Sequence, residues 1–451
     1  MAAGEPAAAR DAAAPAPPTR VRHAVVGMTL AMVAVAYLDR VCIATAAPAI
    51  RADLALSDSE MGLVFSAFTI AYAVFEVPGG WFADRYGARL ALTRVVLWWS
   101  AMTAITGAAW SFASLFVVRL LFGMGEAGAF PATARVYARW LPGAIHGRSF
   151  GLLIMAGALA GAATQPLVVA LLARTSWHVA FAIFGAVGVV WATAWWIWFR
   201  DDPREHPGVN RAELALLPSL ASEAGAEGPG LRGAGPRSGA VSPHAIPWAA
   251  LLRHRTLAFL CAMYASAIYG WYFYLTWLPT YLLQVRGFDL KQVGWLAALP
   301  LLSIGVGVWA GGAASDALSR RLGSRRGRRT PGLIGFPLAA AAVVGAVRTP
   351  DALTAALLLG AAAGLAALGV APAWAVTLEI GGRNAGVVSG AMNTFGNLGG
   401  ALSPIVIGMS VDRWGAWDTP LLSVAAFYLV AAACWLAVDP AQRIEDGTAV
   451  G

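Results

Sequence analysis

The sequence predicts an all-α membrane protein, with twelve transmembrane helices arranged in two six-helix halves. Three observations predict it: a scarcity of charge, the regular recurrence of apolar segments of spanning length, and one long polar break in the middle. Charged residues make up only 12% of the 451 positions and hydrophobic residues 59%. A soluble domain carries about 25% charged residues because its surface faces water. Most of this surface therefore faces something else, in line with a mean hydropathy of +0.64.

Apolar segments fall at 24–48, 61–83, 90–109, 112–138, 148–172, 178–199, 257–283, 292–314, 331–347, 351–376, 384–410 and 419–437. Each approaches the roughly 20 residues that a helix needs to cross the hydrocarbon core. Helices satisfy their backbone polar groups internally, as lipid demands. The ninth segment is short and rich in glycine. The spacings Gly157/Gly161, Gly307/Gly311, Gly386/Gly390 and Gly396/Gly400 place small residues on one face, which lets helices approach closely.

The polar break opens with Arg200-Asp201-Asp202-Pro203 and continues through a Gly/Ala/Pro/Ser-rich stretch to Pro243. It divides the chain into halves at 23–199 and 256–438, joined by a cytoplasmic linker at 200–255. Tails at 1–22 and 439–451 flank them, the first expected to be disordered. Paired six-helix repeats suggest rocking about a site at the membrane midplane.

Orientation follows from charge. With the N-terminus inside, 24 of the 32 lysine and arginine residues fall on the inner side and 6 on the outer, a strong positive-inside bias. Both termini are thus expected in the cytoplasm of a multi-pass inner-membrane protein. A signal-peptide reading of the N-terminus fails because Asp39-Arg40 interrupts its apolar stretch and many spans follow. The pI of about 9.8 reflects this bias and contact with anionic lipid at Arg320, Arg321, Arg325, Arg326, Arg328 and Arg329, rather than nucleic-acid binding. Cys42, Cys261 and Cys434 lie inside apolar runs without motif spacing and read as small buried hydrophobes. No nucleophile elbow, metal-ligand cluster or phosphate loop is present, so no enzyme chemistry, metal or cofactor is expected. A monomer is expected.

Ionisable side chains deep in a span are expensive and need a partner, a cavity or a function. Asp39, Arg40, Glu76, Arg119 and Glu126 all lie in the first half. Arg119 and Glu126 are seven residues apart, on nearly one helix face and about 10.5 Å apart along the axis. Tyr72 and Glu76 share a face at i, i+4. In the second half, Asn393 and Asn397 also share a face, as hydrogen-bonding partners for a bound molecule or as helix-packing amides. Among the aromatic residues Tyr269, Tyr272, Tyr274, Trp277 and Trp374, packing is the ordinary role. Trp195, Trp196 and Trp198 read as an interfacial belt.

Gly80-Trp81-Phe82-Ala83-Asp84-Arg85-Tyr86-Gly87-Ala88-Arg89 follows the second segment. An echo, Gly312-Ala313-Ala314-Ser315-Asp316 with Arg320 and Arg321, follows the eighth. The first stretch is similar to the signature loop of the major facilitator superfamily. That resemblance implies the family fold and a cytoplasmic gate built from Gly80, Asp84, Arg85, Gly87, Arg89, Asp316 and Arg320.

Further stretches resemble the anion:cation symporter family, which includes bacterial sugar-acid/proton symporters and sialin-like carriers. They are Tyr37-Leu38-Asp39-Arg40, the run from Met61 to Phe68 with Tyr72, Pro78-Gly79-Gly80-Trp81, and Arg119 to Ala127 with Phe130-Pro131. Thr276-Trp277-Leu278-Pro279-Thr280-Tyr281-Leu282 and Asn393-Thr394-Phe395-Gly396-Asn397 complete the set. The resemblance implies secondary active symport of a small organic anion, such as a sugar acid or other carboxylate, energised by a proton gradient. Asp39 and Glu126 would carry protons. Arg40 and Arg119 would balance the substrate's charge, with Tyr37, Tyr72, Asn393, Asn397, Trp277 and Trp374 as further binding residues. The alternative for the charged set is structural ion pairing between the first and fourth helices. The chain departs from the family at Trp140-Leu141-Pro142-Gly143-Ala144-Ile145-His146-Gly147, which lacks the usual Glu-Arg pair. Gly157 stands where sugar-acid carriers tend to place Gln, and Glu76 where Gln is frequent. Rival readings are a cationic-drug antiporter, which Glu76 and Glu126 favour, and an organophosphate antiporter, which the absence of Arg and Lys from 257–283 disfavours. A non-transporting receptor or scaffold is a further alternative, disfavoured by the intramembrane charges.

Overall fold

The computed structural model describes residues 17–142, 145–217, 253–381, 385–442 and 444, leaving aside the side chains of Val77, Asp84, His146, Arg148, Phe150 and Ala385. These residues form helices and, among themselves, no strand. The first six spans are α1 (Val21–Leu54), α2 (Asp58–Tyr86), α3 (Ala88–Thr106), α4 in two pieces (Phe112–Glu126 and Ala129–Trp140), α5 (His146–Leu172) and α6 (Trp177–Trp198). The second six are α7 (Arg255–Thr276 and Leu278–Gln284), α8 (Leu290–Leu296 and Ala298–Leu322), α9 (Ser324–Arg348), α10 (Ala352–Ala367 and Val370–Gly381), α11 (Ala385–Trp414) and α12 (Asp418–Ala437). Among the described residues, ten helices are long and apolar enough to cross a membrane on length and composition alone.

Local chemistry sets the boundaries. Capping boxes start α2 at Ser57/Glu60, α4 at Ser111/Ser114 and α8 at Asp289/Gln292. Each pairs two backbone donors that the first helical turn leaves open. Span α7 breaks at Trp277, two residues before Pro279, which has no N–H to donate. Span α9 begins seven residues before its expected start. The arginine-rich run read as a loop is helical, because Arg328 pairs with Asp316 (2.5 Å) and Glu379 (2.8 Å) and Arg329 donates to the Val438 carbonyl.

Small residues bring neighbouring helices into backbone contact. A Cβ on Gly307 or Gly311 of α8 would collide with the carbonyls of Gly364 and Leu368 on α10. Gly396 and Gly400 of α11 seat the rings of Tyr264 and Tyr272 of α7. Gly390 has nothing near it.

Polar straps tie the ends of each half. Of the expected linker, residues 200–217 and 253–255 are described, and the first stretch packs against the first half. Glu213 is buried, and its carboxylate accepts from Val21 N (3.2 Å), Arg22 N (2.9 Å) and Thr19 Oγ1 (2.5 Å), capping α1 from outside the helix. In the second half, Thr256 Oγ1 donates to Gln442 Oε1 (3.0 Å) and Ile444 N to the Ile380 carbonyl (2.9 Å).

The halves meet most closely at the end away from the termini. There Asp58 N and Ser59 N donate to the Asp412 carboxylate (3.0 and 2.6 Å), and Ser66 Oγ donates to the Ala401 carbonyl (2.6 Å). Span α5 approaches α8 at Pro166/Gly294 and Gly161/Leu301, fading by Ala158/Gly305. With that end sealed, the remaining cleft faces the end that carries the termini.

One strap is sensitive to pH. The His206 ring lies edge-on to Trp140 and Trp198, and burial there, with Arg200 nearby, holds the imidazole below its usual range. A depressed histidine opposes folding once the unfolded form takes a proton, so docking weakens as pH falls below about 6.5. Protection factors across 200–217, taken relative to the base-catalysed intrinsic exchange rate at each pH, are expected to fall at pH 5.5 compared with pH 7.5. His206→Phe should remove that dependence.

Candidate functional site

The first half collects its charges around one point of the cleft. Arg40 of α1 and Glu126 of α4 form an ion pair, with Glu126 1% and Arg40 17% exposed. Glu126 ends the first piece of α4, and the chain turns at Ala127-Gly128 before Pro131. That break aims the carboxylate across at α1. The Arg40 guanidinium also lies against the rings of Phe68 (4.8 Å), Tyr72 (5.3 Å) and Tyr37 (5.4 Å). Such an aromatic collar attracts a cation through the ring quadrupoles.

Two further charges sit deeper. Asp39 is fully buried and neither carboxylate oxygen has a hydrogen-bond partner. Arg119 is 2% exposed, stacks on Phe122 (4.4 Å), and leaves Nε and Nη1 without hydrogen bonds. Each acts electrostatically on the other, and Glu126 acts on both. Buried groups with open valences are uncommon, because each costs about 1–3 kcal/mol to leave unpaired. Four ionisable groups from α1 and α4 thus share one low-dielectric pocket in which a proton or an anion changes the balance.

Across the cleft the second half offers neutral groups. Asn393 Nδ2 donates to Glu76 Oε2 (3.4 Å), a hydrogen bond between halves, while Asn397 Nδ2 is buried without a partner. Trp374, 38% exposed, donates to the Tyr264 hydroxyl (3.2 Å). Tyr272 faces Arg40 and Glu126, and Tyr264 faces Tyr37 and Glu76.

Trp277 lies elsewhere. It is fully buried in the sealed end, where its indole donates to the Pro404 carbonyl (3.2 Å) and its ring meets Phe65 and Trp417 edge-on. Sequence reasoning missed Tyr264 and set Tyr272 among the packing aromatics. The available signal was the Gly396/Gly400 spacing, which makes room for those two rings.

Tyr37 occupies the place that a fifth-helix side chain would otherwise fill. A Cβ on Gly157 would stand 2.6 Å from Tyr37 Cε2, and one on Gly161 3.2 Å from Cδ1. The α5 wall of the cleft is therefore an aromatic ring laid on bare backbone.

The signature residues are tied inside their own halves. Gly87 adopts φ +90°, where a side chain is strained, and the Ala88 and Arg89 amides donate to Asp201 Oδ1 (2.7 and 3.0 Å). Arg89 reaches the Trp196 carbonyl and stacks on its indole at 4.4 Å. Gly80 packs against Pro131, and Arg85 is exposed. The Asp84 side chain lies outside the described residues. In the echo, Asp316 pairs with Arg328 rather than Arg320, which is exposed; Arg328 and Ser324 also hold Glu379.

A family model described as the Major Facilitator Superfamily matches residues 29–404. The chain is 36% identical, over 95% of its length and 96% of the relative's, to a protein of Cupriavidus necator named as a probable sulfoacetate transporter. It is 31% identical over 94% of both chains to a probable galactarate/D-glucarate transporter of Bacillus subtilis. It is 30% identical to a D-galactonate transporter of Escherichia coli, covering 95% of this chain and 98% of that one. Among solved structures, a bacterial homologue of the human lysosomal transporter Spinster, in an inward-facing unoccupied conformation, superimposes with a TM-score of 0.73 at 20% identity. It covers 92% of this chain and 97% of its own.

Gly157→Gln tests the aromatic wall, because the new side chain and the Tyr37 ring cannot share the space. Overpacking of this kind costs about 1–3 kcal/mol. Thermal melting in detergent should register that loss, and Tyr37→Ala in the same background should recover most of it.

Proposed function

The chain belongs to the Major Facilitator Superfamily, a transporter family, and on that premise we propose that it is a proton-coupled symporter of a small organic anion working by alternating access. The observation that carries this reading is the Arg40–Glu126 pair, buried on the carboxylate side and open to the cleft on the guanidinium side. A substrate carboxylate or sulfonate and the Glu126 carboxylate compete for one cation. An adjacent guanidinium favours the ionised carboxylate, and its diversion to another anion favours the proton. Substrate binding and protonation of Glu126 therefore reinforce each other. Arginine suits the exchange because its planar fork takes either carboxylate in a bidentate manner.

Asp39 and Arg119 extend the coupling inward as a second carboxylate and guanidinium that act on each other at a distance, and their unmet hydrogen bonds make their charge states responsive. Tyr37 and Tyr72 shape the pocket around the Arg40 end. Asn393, Asn397, Tyr264, Tyr272 and Trp374 receive the far end of the substrate from the second half. The sealed end at Asp58, Asp412 and Trp277 and the cleft toward the termini correspond to an inward-facing state. The positive-inside bias places both termini in the cytoplasm, with the protein in the inner membrane. Asp201 on the Gly87 loop and Arg328 on Asp316 and Glu379 hold the terminal ends of each half rigid while the halves rock. The names of the relatives supply the first probes, sulfoacetate and D-glucarate.

Purified protein is to be melted with sulfoacetate, D-glucarate, other dicarboxylates, amino acids, sugar phosphates and cationic drugs. A ligand at 100 times its Kd stabilises the folded state by about 2.7 kcal/mol. Stabilisation by one of the anions, lost in Arg40→Ala, is expected. Stabilisation by cations alone would replace this reading with that of a drug antiporter. In proteoliposomes, Glu126→Gln should lose accumulation driven by a pH gradient while retaining exchange of internal for external substrate. Retained accumulation would remove Glu126 from the coupling.

A further inference from the structure

Five charged side chains meet at the cleft: the guanidiniums of Arg40 and Arg119 and the carboxylates of Asp39, Glu126 and Glu76. Arg40 and Glu126 form an ion pair, and Asp39 and Arg119 act on each other electrostatically without a hydrogen bond. Glu76 is the surplus charge, since its hydrogen bond goes to a neutral amide, Asn393, on the opposite half. Arg40, which acts on it, is already bonded to Glu126. Tyr72 lies one turn back on α2, and Tyr264 faces Glu76 from α7. The other cations on neighbouring helices lie toward the two ends of α2: Arg94 stacks on Phe82 and Arg139 pairs with Asp202 at one end, while Arg51 pairs with Asp58 and Arg413 is exposed at the sealed end.

With every group ionised, the cleft carries one net negative charge before any substrate arrives. An organic anion would meet repulsion there, and uncompensated charge in a low-dielectric cavity is costly. Protons on Asp39 and Glu126 alone bring the cleft to one net positive charge, enough for a monoanion. A dianion is balanced only when a third carboxylate is neutral as well.

We propose that Glu76 is a third proton-binding site, loaded together with a dianionic substrate and emptied with it. This rests on the symport reading above. A proton taken from the outer solution sits on a Glu76 carboxyl oxygen, crosses with the cargo, and leaves to the inner solution. Three protons and a dianion move one net positive charge inward per cycle, so transport of a dianion is driven by membrane potential as well as by pH. Glu76 also joins α2 to α11. When it is protonated, the bond from Asn393 Nδ2 loses its charge assistance, and the new O–H can donate in turn to the Asn393 amide oxygen. The proton state of Glu76 is thereby communicated to the contact between the halves.

The test compares wild type with Glu76→Gln in proteoliposomes, using sulfoacetate as the dianion and setting potential with potassium and valinomycin at fixed pH gradients. Wild-type uptake is expected to rise with an inside-negative potential. Glu76→Gln, with two carboxylates and two guanidiniums left, should balance the dianion with two protons. It should accumulate sulfoacetate down a pH gradient with no response to potential. Glu76→Asp should restore the response. Wild-type uptake indifferent to potential, or a Glu76→Gln response equal to wild type, overturns the proposal while leaving the symporter reading in place. Absence of pH-driven uptake by the wild type overturns both. If Glu76→Gln folds without turning over, proton uptake on sulfoacetate binding in detergent decides: one proton fewer than wild type supports a third site, and an equal count overturns it.

Discussion

The structure depends on a constraint of charge in a medium that does not tolerate it. Arg40 and Glu126 belong to different helices and are joined as an ion pair within a first half whose buried core is otherwise largely apolar and aromatic. Breaking a buried pair by removing one partner typically costs about 3–5 kcal/mol, because the remaining charge is stranded. A transporter avoids that cost only if something replaces the lost partner at the moment of separation. An anion for the arginine and a proton for the carboxylate are such replacements, and neither suffices alone. On the proposed symport reading, coupling would be a property of the cavity's charge balance more than of any single residue.

The two halves divide the work unequally. Charge is concentrated on α1, α2 and α4, whereas α7, α10 and α11 present amides, phenols and an indole to the same cleft. A neutral face can move past a charged one without breaking ion pairs, which lowers the barrier to rocking. The strong polar contacts are instead placed within halves. Asp201 caps α3, Glu213 caps α1, and Arg328 gathers Asp316 and Glu379. Each holds its half together as a body. Between the halves the described polar contacts are fewer, chiefly Asp412 on the first turn of α2, Ser66 on Ala401, and Glu76 on Asn393.

If the cargo is an anion, as proposed, the α5 side of the cleft bears on which ones fit. Where a side chain able to read a hydroxyl would project, Gly157 and Gly161 admit the ring of Tyr37 instead. Hydrogen bonds to a substrate's hydroxyls would then have to come from Tyr37 itself or from the second half. Binding energy would rest more on charge and on aromatic enclosure than on a row of polar contacts.

Much of this was legible in the sequence. Lipid leaves a spanning segment almost no choice but a helix, so hydropathy and length alone predicted an all-helical membrane chain of the twelve-span kind. The cost of intramembrane charge marked Asp39, Arg40, Glu76, Arg119 and Glu126 before any partner was known. The Gly396/Gly400 and Gly307/Gly311 spacings announced close helix contacts. Which contacts they were is a matter of relative rotation and depth, and only the tertiary structure decided it. Pairing of Arg40 with Glu126, of Asp316 with Arg328 rather than Arg320, and of Glu76 with Asn393 317 residues away depends on how helices turn toward one another. The same packing took Trp277 out of the cleft and brought Tyr264 into it, because one-dimensional spacing fixes a side chain's face on its own helix and says nothing of what that face meets.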